Sequence, residues 1–381
     1  MDLFTRAIIR ELLAERETPC LSLFFPRFPH GGKAHGGPAR IAGLAKEAEH
    51  RLLEWDIPML SILEMLSTVR AFEENASSTG PRNWGLGIFI SPCRTATCRL
   101  PIDFGPTATV GPYFHIKPLA KMLAEDASFY VLALERGGFQ ILHGTSEELN
   151  EIDIARAGEI MPGHDRRGSL ETGQSNPHED QRKSPGGGSA FPGEAEVKDL
   201  SLFLHGMDDH VCTLLDGERA PLVLVGADQL TRLYRETSGY PYIAAQTIGR
   251  ELENYRPDQL HRMAWKIAGP LLFQRRREAV NRHRGLAERG DPRAASRVDR
   301  VLPAVHSGGV GALFMNHKCE LWGKVDPDSG RVESHGERQP RDEDLVNTAM
   351  VHTVLHDGEI FMSGAEELFH GKPLAATLRY P

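Results

Sequence analysis

Residues 161–196 read MPGHDRRGSLETGQSNPHEDQRKSPGGGSAFPGEAE, and the rest of the chain is arranged around them. The segment contains Gly, Pro, Ser, His and charged residues with almost no apolar side chains, and it separates a strand-like run from a helix-like run. Loops beyond about 12 to 15 residues without structure of their own are usually functional or disordered, because ordering each residue costs roughly 1 to 2 kcal/mol. Two interpretations are therefore open, a flexible surface insertion and a functional loop.

The end of this loop favours function. Gly186, Gly187 and Gly188 run into Ser189 and Ala190 just before a periodic helix. Glycines allow positive φ angles and a close approach of the backbone to another molecule. Unpaired N–H groups and the positive end of the helix dipole at such a turn are suited to holding an anion or polarising a water or a carbonyl.

Composition limits the classes of protein. The 381 residues have room for two or three domains, and a net charge of −8 argues against coating nucleic acid by bulk attraction while permitting a local basic patch. The five cysteines are too few and too scattered for a disulfide framework or a zinc site, which predicts reduced thiols in a cytoplasmic protein. We expect no cofactor, and no run approaches the ~18 apolar residues of a membrane span.

Helices and apolar strands alternate along the chain, which predicts an α/β (α+β) protein of three domains. The predicted limits are 1–125 for an N-terminal α/β domain, 126–239 for a middle domain that carries the long loop, and 240–381 for a C-terminal α/β domain. After the loop, apolar residues recur at spacings of three and four on one face of a helix: Val197, Leu200, Leu204, Met207, Val211 and Leu214.

A basic region follows in the last third. Between Arg262 and Arg300 the sequence has 11 Lys or Arg against 4 Asp or Glu. A solvated helix face and a phosphate-facing patch explain this composition equally well. If the patch binds RNA, the residues that we expect to contact phosphate are those of two arginine clusters and one lysine of an early glycine-rich loop: Arg275, Arg276, Arg277, Arg282, Arg284 and Lys33.

Other side-chain patterns are weaker. His352 and His356 lie four apart on a predicted helix and could share a metal, but no HExxH glutamate accompanies them. Gly308–Gly311 precedes a strand, the wrong order for a dinucleotide or P-loop motif, and no serine lies in a GxSxG elbow. A hydrated polar face explains a further cluster at least as well as catalysis does: His205, Asp208, Asp209 and His210.

The order of elements resembles a known family. SFYVLALERGGFQILHG (128–144), the long loop ending in GGGSA, and APLVLVGADQL (220–230) are similar to the hairpin, the Gly-Gly-Gln loop and the following strand in the central domain of archaeal and eukaryotic class-1 release factors and pelota. The end of the chain is similar to that family's third domain, which shares its fold with kink-turn-binding ribosomal proteins. The resemblance therefore implies a three-domain, release-factor-like fold.

The bacterial branch of this superfamily resembles the chain most. Its pattern is matched by the DLFTR start, the HIKPL segment, the PLVL-G strand and the ED-L-N-A--HT-L--G helix near the end. The similarity is colinear over nearly the whole chain. Two family motifs depart from the pattern. Gly188 stands where release factors have the catalytic glutamine, and a glycine-rich region from His30 to Gly37 replaces the stop-codon-reading motif.

These departures argue against stop-codon-dependent release, and three functions remain. The resemblance implies first a ribosome-associated tRNA mimic in hibernation or rescue, with the ribosome and a translational GTPase as partners and no membrane. The second is a hydrolase of peptidyl-tRNA or a related ester, with backbone N–H groups of Gly187, Gly188 and Ser189 and the side chain of Gln174 as catalytic candidates. The third is a stress-related interaction protein away from the ribosome. The missing glutamine favours binding over enzymatic activity.

Overall fold

The computed structural model describes residues 5–14, 17–26, 37–75, 84–135, 138–152, 194–249, 255–326, 330–362 and 373–381. In these ranges the strands form four sheets, and helices cover their faces. The predicted mixed α/β fold class is confirmed. No helix in the described part of the chain is both long and apolar enough to span a membrane.

The first third of the chain forms an antiparallel sheet of order β3-β2-β1-β4. Strand β1 is buried on both faces, which explains why CLSLFF is a continuous apolar run. Leu21 and Leu23 face the helices α2 and α3, whereas Phe24 faces the rest of the molecule. The elements are α1 (Arg6–Ala14), β1 (Cys20–Phe25), α2 (Gly37–Glu54), α3 (Met59–Asn75), β2 (Gly85–Ile90), β3 (Thr95–Leu100), β4 (Thr107–Gly111) and α4 (Ala120–Leu123).

The middle sheet has the order β7-β6-β5-β8-β9. An antiparallel hairpin of β5 and β6 is extended by β8 and β9, which run parallel to β5. Gly226 ends β8 with a φ of 148° beside the Leu134 carbonyl, a conformation that favours glycine and explains the glycine of PLVL-G. The elements are β5 (Ser128–Glu135), β6 (Gly138–Thr145), β7 (Leu149–Glu151), α5 (Glu194–Leu214), β8 (Leu222–Gly226), α6 (Asp228–Thr237) and β9 (Ile243–Gly249).

The last third forms a sheet of order β10-β16-β11-β15 and a small sheet of order β13-β12-β14. Helix α9 is buried along its whole length because it lies between these sheets and α1. The elements are α7 (Pro257–Glu288), β10 (Ala294–Ala295), α8 (Val298–His306), β11 (Val310–Met315), β12 (Trp322–Val325), β13 (Val332–His335), β14 (Glu343–Asp344), α9 (Leu345–Leu355), β15 (Glu359–Met362) and β16 (Leu374–Leu378).

The long helix α7 is shared between two cores. Ala264 and Leu272 pack on the middle sheet, whereas Ala279 and Val280 pack beside Phe314 of the last sheet. Strand β9 also belongs to the middle sheet, so that sheet continues past residue 239, the predicted end of the middle domain. The domain limits themselves stay a prediction.

The HIKPL segment joins the first third to the last. The Asn347 side-chain oxygen accepts hydrogen bonds from the Ile116 and Lys117 N–H groups at 2.7 and 3.0 Å, and its amide donates to the Phe114 carbonyl at 3.2 Å. Lys117 Nζ donates to Asp344, whose other oxygen caps α9 by accepting from the Val346 N–H at 3.0 Å. The residues that carry the bacterial resemblance therefore build a contact between distant parts of the chain.

We expect Asn347→Ala to lower the free energy of unfolding by about 2 to 4 kcal/mol, because it leaves two backbone N–H groups and one carbonyl without their partner in a buried site. Urea unfolding followed by circular dichroism measures the change. Asn281→Ala makes the same chemical change at an exposed helix position and is the matched control. Equal stabilities of the two variants would contradict this account of the joint.

Candidate functional site

The predicted catalytic candidates Gln174, Gly187, Gly188 and Ser189 lie outside the described residues, as does Lys33. Their roles stay predictions. The structure does describe both ends of the segment that carries the loop, namely β7 before it and α5 after it. Strand β7 is a partly exposed edge strand of the middle sheet, and α5 packs against that sheet; we call these two elements the base of the loop.

Asp208 on α5 helps to build this base. Its carboxylate accepts hydrogen bonds from Tyr234 Oη at 2.8 Å, Ser238 Oγ at 2.5 Å and the Gly239 N–H at 2.8 Å. The side chain is buried. The expected hydrated face is therefore wrong for Asp208, because its charge is satisfied inside the protein by α6 and the segment that follows it.

The five arginines predicted to bind RNA divide into two groups. Arg275 and Arg276 turn inward: Arg275 Nη2 lies 3.3 Å from Glu125 Oε2, and Arg276 Nε lies 3.6 Å from Asp126 Oδ2. The Arg275 guanidinium also lies 5.3 Å from the centre of the Tyr242 ring. These two cations therefore neutralise buried carboxylates within the chain.

Arg6 of the DLFTR start completes this ion-pair network at the meeting point of the three parts of the chain. Its Nη1 lies 2.8 Å from Glu125 Oε1, and its backbone N–H donates to Glu218 Oε1 at 2.6 Å. Its Nη2 donates to the Gly358 carbonyl. Sequence reasoning missed this junction because Arg6 and its partners are separated by 119 to 352 residues.

Burial sets the protonation of this network. It raises the pKa of Asp126 to about 6 and that of Glu218 to about 7, although nearby arginines oppose the shift. Burial also raises the pKa of Glu125. Ionisation of these three carboxylates is therefore less favourable in the folded protein than it is in water.

Arg277, Arg282 and Arg284 are exposed. At about 100° per residue, Arg277 and Arg284 lie on the same face of α7 as Lys266 and Arg262, whereas Arg282 lies about 160° away from Arg284 around the axis. Arg262 pairs with Asp258 at 3.0 Å. Within the described ranges, Arg277 and Arg284 have no carboxylate at ion-pair distance.

We call Arg262, Lys266, Arg277 and Arg284 the basic stripe. At about 1.5 Å of rise per residue it extends for roughly 33 Å along α7. Ala268, Leu272 and Ala279 are buried on a face about 130° away around the helix axis, whereas buried Val280 is in phase with the stripe. Rises of about 6, 16 and 10 Å separate its neighbouring cations, so each can contact a phosphate of an RNA backbone although they do not match consecutive phosphates.

Three histidines of the last third, His306, His352 and His356, lie close together. The rings of His352 and His356 have centroids 6.2 Å apart, and the centroid of His306 lies 5.0 Å from that of His352. Among the described residues, no group of three His, Cys, Asp or Glu side chains has metal-binding geometry. The shared face that the spacing predicted is present, and it supports ring stacking.

Residues 128–308 match the family model described as bacterial archaeo-eukaryotic release factor family 3. This segment is similar to the bacterial branch of the release-factor superfamily, and the match covers slightly less than half of the chain. It contains the whole middle sheet, the long loop and the basic stripe. The predicted resemblance to the release-factor and pelota superfamily is confirmed, and the release-factor-like segment is the part of the chain on which that confirmation rests.

Solved structures of the same superfamily show distant similarity. The archaeal translation termination factor aRF1 is 12% identical, with 99% of each chain covered and a TM-score of 0.27. S. cerevisiae Dom34, a translation termination-like factor that interacts with Hbs1, is 11% identical, with 78% of this chain and 79% of that chain covered and a TM-score of 0.36. No curated protein matches the chain.

The raised pKa of Glu218 predicts a pH-dependent stability. Because folding raises this pKa from 4.5 to about 7, the stabilising effect of the proton is full below about pH 4.5 and is lost as the pH rises through about 7. Glu218→Gln keeps a neutral side chain that can still accept from the Arg6 N–H. We expect this variant to gain stability relative to the unmodified protein as the pH rises, reaching on the order of 2 kcal/mol.

Chemical unfolding at a series of pH values measures that difference. Glu236→Gln changes an exposed carboxylate on α6 and serves as the control, for which we expect no such trend. A difference between Glu218→Gln and the unmodified protein that is constant with pH would show that folding does not shift the pKa of Glu218.

Proposed function

We propose that this protein is a ribosome-associated factor that occupies a tRNA site as a tRNA mimic and acts in ribosome hibernation or rescue. The observation that carries the proposal is the match of residues 128–308 to a release-factor family, because that segment holds both the long loop and the basic stripe. In this proposal the stripe binds rRNA phosphates, and the loop extends from its base toward the peptidyl-transferase centre.

Local charge supports RNA binding despite the net charge of −8. Arg275 and Arg276 form ion pairs with buried carboxylates of the same chain. Arg277 and Arg284, in contrast, remain available at the surface. Exposed cations gain affinity for nucleic acid by releasing counterions from the phosphates. The two exposed arginines are therefore the strongest candidates for phosphate contact, and Arg275 and Arg276 are expected to act mainly on stability.

Binding without chemistry is the form of the proposal that the sequence favours, because Gly188 stands where the superfamily's release factors have glutamine. The backbone of a triple glycine can still approach RNA closely. A translational GTPase is the second partner that the resemblance implies. In this proposal it contacts the last third of the chain, and the first third meets the decoding region.

Co-sedimentation of the purified protein with vacant bacterial 70S ribosomes across a salt series tests the proposal. We expect saturable binding that weakens with salt. The double variant Arg277→Ala/Arg284→Ala should weaken binding and reduce the slope of log affinity against log salt by about 1.4 to 1.8, because each lost phosphate contact removes about 0.7 to 0.9 from that slope.

The matched control is Arg232→Ala/Lys324→Ala, which removes two exposed cations away from the stripe and keeps the same net charge as the test variant. We expect it to bind like the unmodified protein. Deletion of Gly186–Gly188 shows separately whether the loop contributes affinity. Absence of binding at every salt concentration would refute the ribosomal function, and equal slopes for the two double variants would remove the stripe from it.

A further inference from the structure

Phe273 is an exposed aromatic residue on the long helix α7. Its side chain is 65% exposed, and it belongs to none of the apolar cores that the described residues form. Single exposed apolar side chains are common on soluble proteins and need no explanation by themselves. What distinguishes Phe273 is its position, because it lies on the same face of the helix as the basic stripe.

Phe273 lies inside the widest gap of the basic stripe. At about 100° per residue it is about 20° from Lys266 and about 40° from Arg277 around the helix axis. At about 1.5 Å of rise per residue it is about 10 Å from Lys266 and about 6 Å from Arg277 along that axis. Both neighbouring cations are exposed. The gap of about 16 Å between them therefore contains an aromatic ring that faces solvent.

The charge of α7 on this face is positive. The helix contains three carboxylates: Asp258, Glu278 and Glu288. Asp258 lies at the start of the helix and pairs with Arg262, and Glu288 lies about 22 Å beyond Phe273 along the axis. Glu278 lies about 140° from Phe273 around the axis, where it accepts a hydrogen bond from Gln274 Nε2 at 2.8 Å. The helix therefore places no acidic side chain beside the ring on this face.

Cations on both sides of an aromatic ring are suited to single-stranded nucleic acid. The cations bind phosphates, and the ring stacks on a base. A base inside a double helix is already stacked on its neighbours, so an unpaired base is the one that can present its face to a side chain. Stacking tolerates every base, which fits a phenyl ring without hydrogen-bonding groups.

We propose that Phe273 stacks on an unpaired base of a single-stranded RNA segment whose phosphates contact Lys266 and Arg277. This inference rests on the proposed function, and it specifies the kind of RNA that the basic stripe binds. The contact selects unpaired nucleotides over a duplex, and it does not select a base sequence.

Fluorescence anisotropy of the full chain with a labelled RNA tests the proposal. The probe is a fluorescein-labelled RNA dodecamer without self-complementarity, and the comparison is the same strand annealed to its complement. We expect Phe273→Leu to weaken binding of the single strand roughly 5- to 150-fold, which is the range for loss of one stacked base. Binding of the duplex should stay unchanged, whereas a general loss of structure would weaken binding of both probes.

Two further variants serve as controls. Phe273→Trp keeps an aromatic ring and should keep the affinity for the single strand, which should quench the fluorescence of the added tryptophan by stacking. Tyr380→Leu removes another exposed aromatic ring, which does not belong to α7, and should bind both probes like the unmodified protein. Thermal unfolding of each variant should give the midpoint of the unmodified protein, because both positions are exposed.

Three results overturn the inference: absence of binding to the dodecamer, single-strand affinity that Phe273→Leu leaves unaltered, and equal weakening of both probes by that variant. Co-sedimentation with vacant 70S ribosomes separates this inference from the proposed function. There Phe273→Leu should weaken binding at every salt concentration without changing the slope of log affinity against log salt, because no charge is lost.

The two assays fail in different ways. A protein that binds the dodecamer through Phe273 but does not bind ribosomes refutes the ribosomal function and leaves the stacking contact in place. Ribosome binding that does not respond to Phe273→Leu refutes the stacking contact on the ribosome and leaves the ribosomal function in place. Ribosome binding that weakens in this variant, with unaltered binding of the dodecamer, indicates a contact with a ribosomal protein and overturns the inference.

Discussion

The hydrogen bonds of Asn347 with the backbone of the HIKPL segment are the constraint on which the arrangement of the chain depends. One amide side chain holds two N–H groups and one carbonyl of a loop 230 residues earlier in the sequence. Asp344 caps α9 beside it and binds Lys117, so the helix start and the loop are fixed together. These contacts add a directional constraint to the apolar packing that holds α9 against the first third of the chain.

Secondary structure was largely predictable because the pattern of apolar residues within each element indicates which of its faces are buried. The continuous apolar run of β1 indicates a strand buried on both faces, and the stripe through Leu204, Met207 and Val211 indicates a helix that packs on a sheet. The sheet to which β9 belongs was not predictable, because its sequence does not indicate the strand with which it pairs. Pairing with β8 depends on the parallel edge that β8 presents after folding.

The arginines show the corresponding limit for the candidate site. Their helical phase follows from the sequence, but the direction of the buried face depends on which sheets α7 covers. Arg275 and Arg276 meet Glu125 and Asp126 only because two sheets bring α7 beside the end of the first third. The contacts of Arg6 lie beyond sequence reasoning for the same reason, since its partners are 119 to 352 residues away in the chain.

Helix α7 contributes Leu272 to the core of the middle sheet and Ala279 to the core of the last sheet, so it connects the two cores. Pro270 lies inside this helix and has no N–H to donate to the hydrogen bond that a helix makes at that position. The helix is therefore easiest to bend near Pro270, where its packing changes from one sheet to the other. Any change in the angle between the middle sheet and the last sheet must therefore bend or rotate α7, because this helix packs on both.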